Sequence, residues 1–265
     1  MSLLRGPKRF RFRSGRNRNR RRNTANLDHR LEQLEVRRLL AATFDHSTGV
    51  LTVSGTNRND QVFVEMLSAT HLLVRLNQQQ TTYLAESVTS MVFRGKGGRD
   101  YFENSTSIPL IAIGGPGPDT LIGGSGDDFL IGRTGSDMLV GNAGNDTLAG
   151  DSGSIDTLDG GPDDDLIFGG RGRDSLMGND GRDTLNGGSG DDSLDGGSEA
   201  DSLDGFSGND SIMGGDGNDT LTGGGDQDWL DGGAGDDLVQ SEVESSIETV
   251  HVTTLSPDGP GSLSD

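Results

Sequence analysis

The chain of 265 residues contains no cysteine, and only 30% of its residues are hydrophobic and 5% aromatic. Without cysteine, neither disulfides nor thiolate metal sites can stabilise it. Its sequence has no apolar run of membrane-spanning length, so we expect no transmembrane span. It also lacks His-Glu-x-x-His and Gly-x-Ser-x-Gly motifs, and its 4 histidines are scattered singly. We therefore expect no enzymatic activity.

Positive charge is scarce after the first 42 residues. Residues 1–42 hold 13 Lys/Arg against 3 Asp/Glu, a net charge of +10, whereas the rest holds 9 against 39, a net charge of −30. A basic arm can bind nucleic acid. This arm has few aromatic residues for base stacking, and the acidic remainder would repel phosphate. We expect no nucleic-acid binding.

The chain contains one nine-residue sequence repeat, which occurs fourteen times over residues 114–240. Glycine stands first and usually fourth, aspartate sixth, and an aliphatic residue eighth, as in Gly-Gly-Ser-Gly-Asp-Asp-Phe-Leu-Ile at residues 123–131. The sixth-place residues are Asp119, Asp128, Asp137, Asp146, Asp156, Asp165, Asp174, Asp183, Asp192, Asp201, Asp210, Asp219, Asp228 and Asp237. A fixed short period predicts a repeat architecture.

Each copy predicts a tight turn followed by a short strand. Glycines at the first, second and fourth places allow positive φ in the turn, and places seven to nine form a strand with one inward side chain. One copy cannot bury that side chain alone. Stacked copies can, so we expect an all-β fold, a parallel roll with two copies in each full turn.

The sixth-place aspartates are the candidate metal ligands. Two copies per turn place each aspartate beside that of the next copy but one, and such rows of like charge repel unless a cation lies between them. Carboxylates and turn carbonyls offer an all-oxygen site that suits Ca²⁺ better than Mg²⁺. The stretch holds 28 acidic and 4 basic residues, and pairing each of the fourteen copies with the next but one gives 12 sites for Ca²⁺.

This nine-residue repeat resembles the RTX, or haemolysin-type, calcium-binding repeat, and the resemblance covers 127 of the 265 residues. The family implies a calcium-binding parallel β-roll. Without calcium we expect a flexible, unfolded chain, because the stretch is low in apolar residues and high in charge. Two irregularities are expected to weaken the roll. The fifth copy carries ten residues, with Ile155 as the insertion, so the Asp137–Asp156 pair is expected to be distorted. Glu199 replaces a fourth-place glycine, so its turn is expected to be the weakest site.

The flanking segments predict four further regions. Residues 1–26 read as a disordered basic arm, and residues 27–42 as a helical export or targeting motif. Within the latter, Leu-Glu-Val-Arg-Arg-Leu-Leu at residues 34–40 resembles a motif at the N-termini of exported planctomycete proteins. Residues 43–113 predict a β-rich N-terminal cap with two degenerate copies, in which Asp60 and Asp100 hold the sixth place. Residues 241–265 predict a C-terminal lid and tail.

These features together predict a secreted or cell-surface protein that folds on binding external calcium and has a structural or adhesive role. Envelope or matrix polysaccharide and surface proteins are the partners that such a role implies. The alternative is an accessory, non-catalytic component of a secreted hydrolase or haemolysin-type toxin system. An ordinary amphipathic helix is the alternative to an export motif at residues 27–42.

Overall fold

The computed structural model describes residues 41–153 and 155–240, and these are almost entirely β-strand. In chain order the strands are β1 Ala41–Asp45, β2 Val50–Ser54, β3 Gln61–Ser68, β4 His71–Leu76, β5 Gln79–Leu84, β6 Ser90–Arg94, β7 Tyr101–Asn104, β8 Leu110–Pro116, β9 Thr120–Ile122, β10 Phe129–Thr134, β11 Met138–Val140, β12 Thr147–Ser152, β13 Thr157–Pro162, β14 Leu166–Arg171, β15 Ser175–Asp180, β16 Thr184–Ser189, β17 Ser193–Ser198, β18 Ser202–Ser207, β19 Ser211–Asp216, β20 Thr220–Thr222, β21 Trp229–Ala234 and β22 Leu238–Gln240. One turn of 3₁₀ helix, Ala85–Ser87, follows β5.

The strands form two sheets of 11 strands each, and the chain crosses from one sheet to the other with every copy of the repeat. The first sheet has the order β1-β2-β6-β8-β10-β12-β14-β16-β18-β20-β22, and the second β5-β4-β3-β7-β9-β11-β13-β15-β17-β19-β21. Leu130 of β10 pairs in parallel with Leu148 of β12, two copies later. The predicted all-β parallel roll, with two copies in each turn, is confirmed.

A single file of aliphatic side chains fills the space between the two sheets. The eighth-place residues from Leu121 to Leu230 are at most 1% exposed. Each stacks on the same place of the coil before and after it, as Leu176 does on Leu158 and Leu194. Full burial of such a side chain is worth about 1.5–3 kcal/mol. The roll therefore has a core, although it is only one side chain wide on each strand.

Ten of the fourteen repeat strands, β9 to β22, have six residues instead of the predicted three, whereas β9, β11, β20 and β22 have three. In β10, for example, places seven to nine of one copy continue into the first three places of the next copy. Alternation along the strand then turns both the eighth and the first place inward. Glycine at the first place is buried and has no positive φ, as at Gly132. The prediction of positive φ at that place is wrong, and the glycine is needed there for space.

Positive φ occurs at the second and fourth places of the turn instead. At the fourth place Asp163, Glu199 and Asp226 have φ values of 84°, 79° and 78°. At the second place even Phe206 adopts a φ of 70°. The turn geometry is therefore imposed by the stack, since a bulky residue accepts this conformation only at a cost.

Residues 41–113 lengthen the same two sheets. Strand β2 pairs in parallel with β6, and β3 with β7, whereas β4 and β5 add an antiparallel hairpin at the edge of the second sheet. The core is wider here and includes Phe93 stacked against Phe102, with ring centroids 4.7 Å apart. These strands continue the roll with larger side chains than the repeats provide.

The start of β1 corrects one sequence prediction. Ala41 and Ala42, assigned to the helical motif, form an antiparallel ladder with Ser54 and Val53. Pairing with a sheet edge satisfies backbone groups that a short helix end would leave open. The predicted arm at residues 1–26, the rest of the motif at 27–40 and the tail at 241–265 lie outside the described residues. Among the described residues, no helix is long and apolar enough to span a membrane.

Candidate metal sites

The sixth-place aspartates stand in two rows, one along each edge of the roll. One row runs from Asp119 to Asp228, and the other from Asp128 to Asp237, each row taking every second copy. In all 12 neighbouring pairs, the backbone N–H of the earlier aspartate donates to Oδ1 of the later one, at 2.7–3.0 Å. Each aspartate therefore lies beside the aspartate of the next copy but one, as the repeat spacing predicts.

The second carboxylate oxygen, Oδ2, has no hydrogen-bond partner in most of these aspartates. Oδ2 is buried and makes no hydrogen bond in Asp119, Asp137, Asp146, Asp156, Asp165, Asp174, Asp183, Asp192, Asp201, Asp210, Asp219 and Asp237. Native proteins leave few buried polar atoms without a partner, because each one costs about 1–3 kcal/mol. A regular series of such oxygens indicates that a further group is required.

The surroundings of these carboxyl groups disfavour their charged form. Burial, together with the carboxylates of Asp146 and Asp183 in the same row, raises the pKa of Asp165 to about 8. Burial likewise raises the pKa of Asp201 to about 7. The backbone N–H bonded to each carboxylate acts in the opposite direction, and burial outweighs it. A cation within each row would restore the charged form.

The first-place glycine leaves room beside each of these oxygens. A Cβ at Gly178 would collide with Oδ2 of Asp183 and lie 2.5 Å from the carbonyl oxygen of Gly196 in the next coil. A carboxylate oxygen and a main-chain carbonyl oxygen thus border the same small space. Any residue larger than glycine would fill it.

The available donors suit a hard divalent cation shared between coils. Among residues 41–153 and 155–240, no three Asp, Glu or His side chains converge into a metal cage. Two carboxylates from neighbouring coils would therefore have to be completed by main-chain carbonyl oxygens. Such an irregular all-oxygen shell fits Ca²⁺, which accepts six to eight ligands, better than the strict octahedron of Mg²⁺.

Comparison with known families identifies the repeat. The model of the RTX calcium-binding nonapeptide repeat matches residues 113–148, 140–176, 151–185, 168–203 and 204–239. This chain is an RTX-type repeat protein. It is thereby a calcium-binding β-roll protein, whereas the number of bound ions and the identity of each ligand stay predictions. No curated protein matches the chain.

The insertion in the fifth copy does not disturb the RTX roll where distortion was expected. The N–H of Asp137 donates to Oδ1 of Asp156 at 2.7 Å, the same distance as at regular copies. Ile155 is 50% exposed. The extra residue is therefore accommodated on the surface of the turn, and the row passes it unbroken.

Asp128, the first member of its row, differs from the other predicted ligands of the RTX roll. Its Oδ2 accepts the backbone N–H of Gly124 at 2.6 Å, and its Oδ1 accepts that of Leu110 at 2.8 Å. Its carboxylate is therefore hydrogen-bonded through both oxygens by the protein itself. Asp128 remains a predicted ligand, with one more competing bond than its neighbours have.

A second, exposed series of carboxylates and amides was missed in the sequence. Fifth-place Asp127, Asp164 and Asp191 accept through Oδ1 the backbone N–H of the fifth-place residue two copies later, at 3.0–3.1 Å. This series reaches toward the C-terminal coil, whereas the sixth-place oxygens reach toward the N-terminal coil. The signal was the frequency of Asp and Asn at the fifth place. Its hydrogen bonds hold neighbouring turns of the RTX roll in register without metal.

Proposed function

We propose that this RTX-type protein acts outside the cell as a structural or adhesive element whose roll becomes rigid on binding calcium. The observation that carries the proposal is the series of buried, unpartnered Oδ2 atoms along both rows. The fourteen sixth-place aspartates are the proposed ligands, with two neighbouring aspartates at each site.

Charge supports coupling between calcium and folding. Residues 114–240 carry a net charge of −24, so that a dozen divalent ions would neutralise them. Among the described residues of the roll, Arg133–Asp151 and Arg182–Asp164 form ion pairs at 3.4 and 2.7 Å, and both pairs are exposed. Exposed pairs contribute only about 0–1 kcal/mol each. Protein cations alone therefore do not compensate the acidic roll.

The extracellular location follows from the calcium concentration that such sites need. Oxygen sites of extracellular modules bind with dissociation constants of about 10⁻⁴–10⁻³ M. Calcium at millimolar concentration outside the cell would fill them and stabilise the fold by mass action. The low calcium concentration in the cytoplasm would leave the roll unfolded, in a form suited to export. An RTX β-roll is typically structural rather than catalytic, and we propose no catalytic role.

A calcium titration of the full chain tests the proposal. Far-UV circular dichroism is expected to show a cooperative gain of strand signal between about 0.1 and 10 mM calcium, and no comparable gain with magnesium. A chain that is already fully folded and protease-resistant in excess EGTA would refute the coupling of folding to calcium. A roll that responds equally to magnesium would refute the assignment of the ion.

A further inference from the structure

The turn at residues 95–100 repeats the geometry of the metal sites, although it precedes every residue that the family model matches. Asp100 is 1% exposed, and its Oδ1 accepts the N–H of Asp60 at 2.8 Å. Its own N–H donates to Oδ1 of Asp119 at 2.7 Å. Its Oδ2 is buried and makes no hydrogen bond. Asp100 therefore occupies the same position as the ligands of the repeats.

The space beside this oxygen also matches that of the repeats. A Cβ at Gly95 would collide with Oδ2 of Asp100 and lie 2.5 Å from the carbonyl oxygen of Gly114, as found for Gly178. We propose that a divalent cation, Ca²⁺ under physiological conditions, binds between Asp100 and Asp119. The site adds one coil to the cation row and rests on the proposed calcium function of the roll.

The row ends at this coil because the preceding aspartate is saturated by the protein. Oδ2 of Asp60 accepts the N–H of Thr56 at 2.6 Å and its hydroxyl at 2.9 Å. Oδ1 of Asp60 accepts an N–H from the side-chain amide of Asn77 at 2.9 Å. Three protein donors thus supply what a cation supplies in the later coils. Asp60 is buried like Asp100, at 2% exposure, and it forms a metal-free end to the row.

Two basic residues in the turn make this site weaker than the repeat sites at residues 205–237, which contain no lysine or arginine. Lys96 and Arg99 are exposed members of the same turn as Asp100. A positive charge several ångströms from a cation, in contact with water and salt, lowers its affinity by about two- to fivefold. The site is therefore expected to fill at higher calcium concentrations than the sites at residues 205–237.

Hydrogen exchange of the full chain, followed by mass spectrometry during a calcium titration, distinguishes this turn from the rest. In the wild type, calcium is expected to slow exchange at residues 96–101 after it has slowed exchange at residues 205–235. Protection that appears at 205–235 but never at 96–101 would overturn the proposed site and leave the calcium roll intact. An absence of any calcium effect at 205–235 would instead refute the proposed function.

Asp100 and Asp60 provide a matched pair of variants, since both are buried sixth-place aspartates. Asp100→Asn is expected to abolish the calcium response at residues 96–101, whereas Asp60→Asn is expected to keep it. A full response in Asp100→Asn would overturn the site. Slow hydrogen exchange at residues 50–76 shows that the Asp100→Asn variant has folded. If the variant lacks this protection, the site is tested instead with Lys96→Asn, a substitution at an exposed residue. It is expected to lower the calcium midpoint at 96–101 by about two- to fivefold, and an unchanged midpoint would overturn the site.

Discussion

Replacing Asp183 by asparagine is predicted to act in opposite directions with and without calcium. Oδ1 of Asp183 accepts the N–H of Asp165 at 2.8 Å. Its Oδ2 has no hydrogen bond and borders the same space as the carbonyl oxygen of Gly196. Asparagine keeps the first oxygen and replaces the second with an amide group that donates hydrogen bonds. The change removes an uncompensated buried charge and a proposed cation ligand together.

The expected sizes of the two effects are comparable. Without calcium, replacing the unpartnered buried carboxylate oxygen with an amide that can donate to the nearby carbonyl oxygen of Gly196 stabilises the roll by about 1–3 kcal/mol. In about 10 mM calcium, a site with a dissociation constant of 10⁻⁴–10⁻³ M contributes roughly 1.4–2.7 kcal/mol, which the variant loses. Asp183 stands between Asp165 and Asp201 in its row, so two neighbouring sites are affected.

Urea unfolding followed by circular dichroism measures both effects. The variant is expected to unfold at lower urea concentration than the wild type in calcium, and to retain more strand signal than the wild type in EGTA. Asp195→Asn is the control, because Asp195 is an exposed ninth-place residue and the change in charge is the same. Destabilisation by Asp183→Asn of equal size in both conditions would refute the reasoning and leave Oδ2 a purely structural atom.

Three further predictions concern the core, one turn and pH. Leu176→Ala removes a side chain that is 1% exposed and should destabilise the calcium-loaded roll to urea by about 2–5 kcal/mol, whereas Met213→Ala, at a residue 42% exposed, should cost less than about 1 kcal/mol. Glu199→Gly relieves a φ of 79° and should stabilise the roll by about 1 kcal/mol and raise calcium occupancy at residues 196–204, the turn expected to lose calcium first; unchanged occupancy by anomalous scattering would contradict this. Since burial raises the pKa of Asp165 from 3.8 to about 8, the folded state binds the extra proton; in EGTA the residual strand signal that this group supports should be greatest below pH 4 and lost as pH rises to about 8, and a circular-dichroism strand signal that rises over this range would contradict the assignment.

The first-place glycine has a role in the structure that differs from the one its sequence pattern indicated. Its regularity was visible in the sequence, but positive φ was the wrong reason for it. In the roll the glycine lies inside a strand, and its missing Cβ leaves space for a carboxylate five residues later, as at Gly178 and Asp183. The preference for glycine at the second and fourth places is explained by the positive φ of the turn, which glycine adopts without strain. The first place is explained only by a contact that exists once the chain has coiled.

The period of the repeat alone determined the architecture. An aliphatic residue at every ninth position cannot be buried by one copy, so a stack with two copies per turn and paired aspartates follows from the spacing. The aspartate pairing could be predicted for the same reason, because it depends only on which copies become neighbours. The register Leu130–Leu148 and the bond between Asp119 and Asp137 are its direct consequences.

Which aspartates retain an unused oxygen was decided only by the tertiary structure. Asp60, Asp100 and Asp183 hold the same place in their copies, yet Thr56 and Asn77 saturate the first and leave the other two open. Asn77 reaches Asp60 from the end of β4, in a hairpin that has no counterpart in the repeats. Hydrogen-bond saturation depends on donors brought in from distant parts of the chain, and a nine-residue pattern does not encode them.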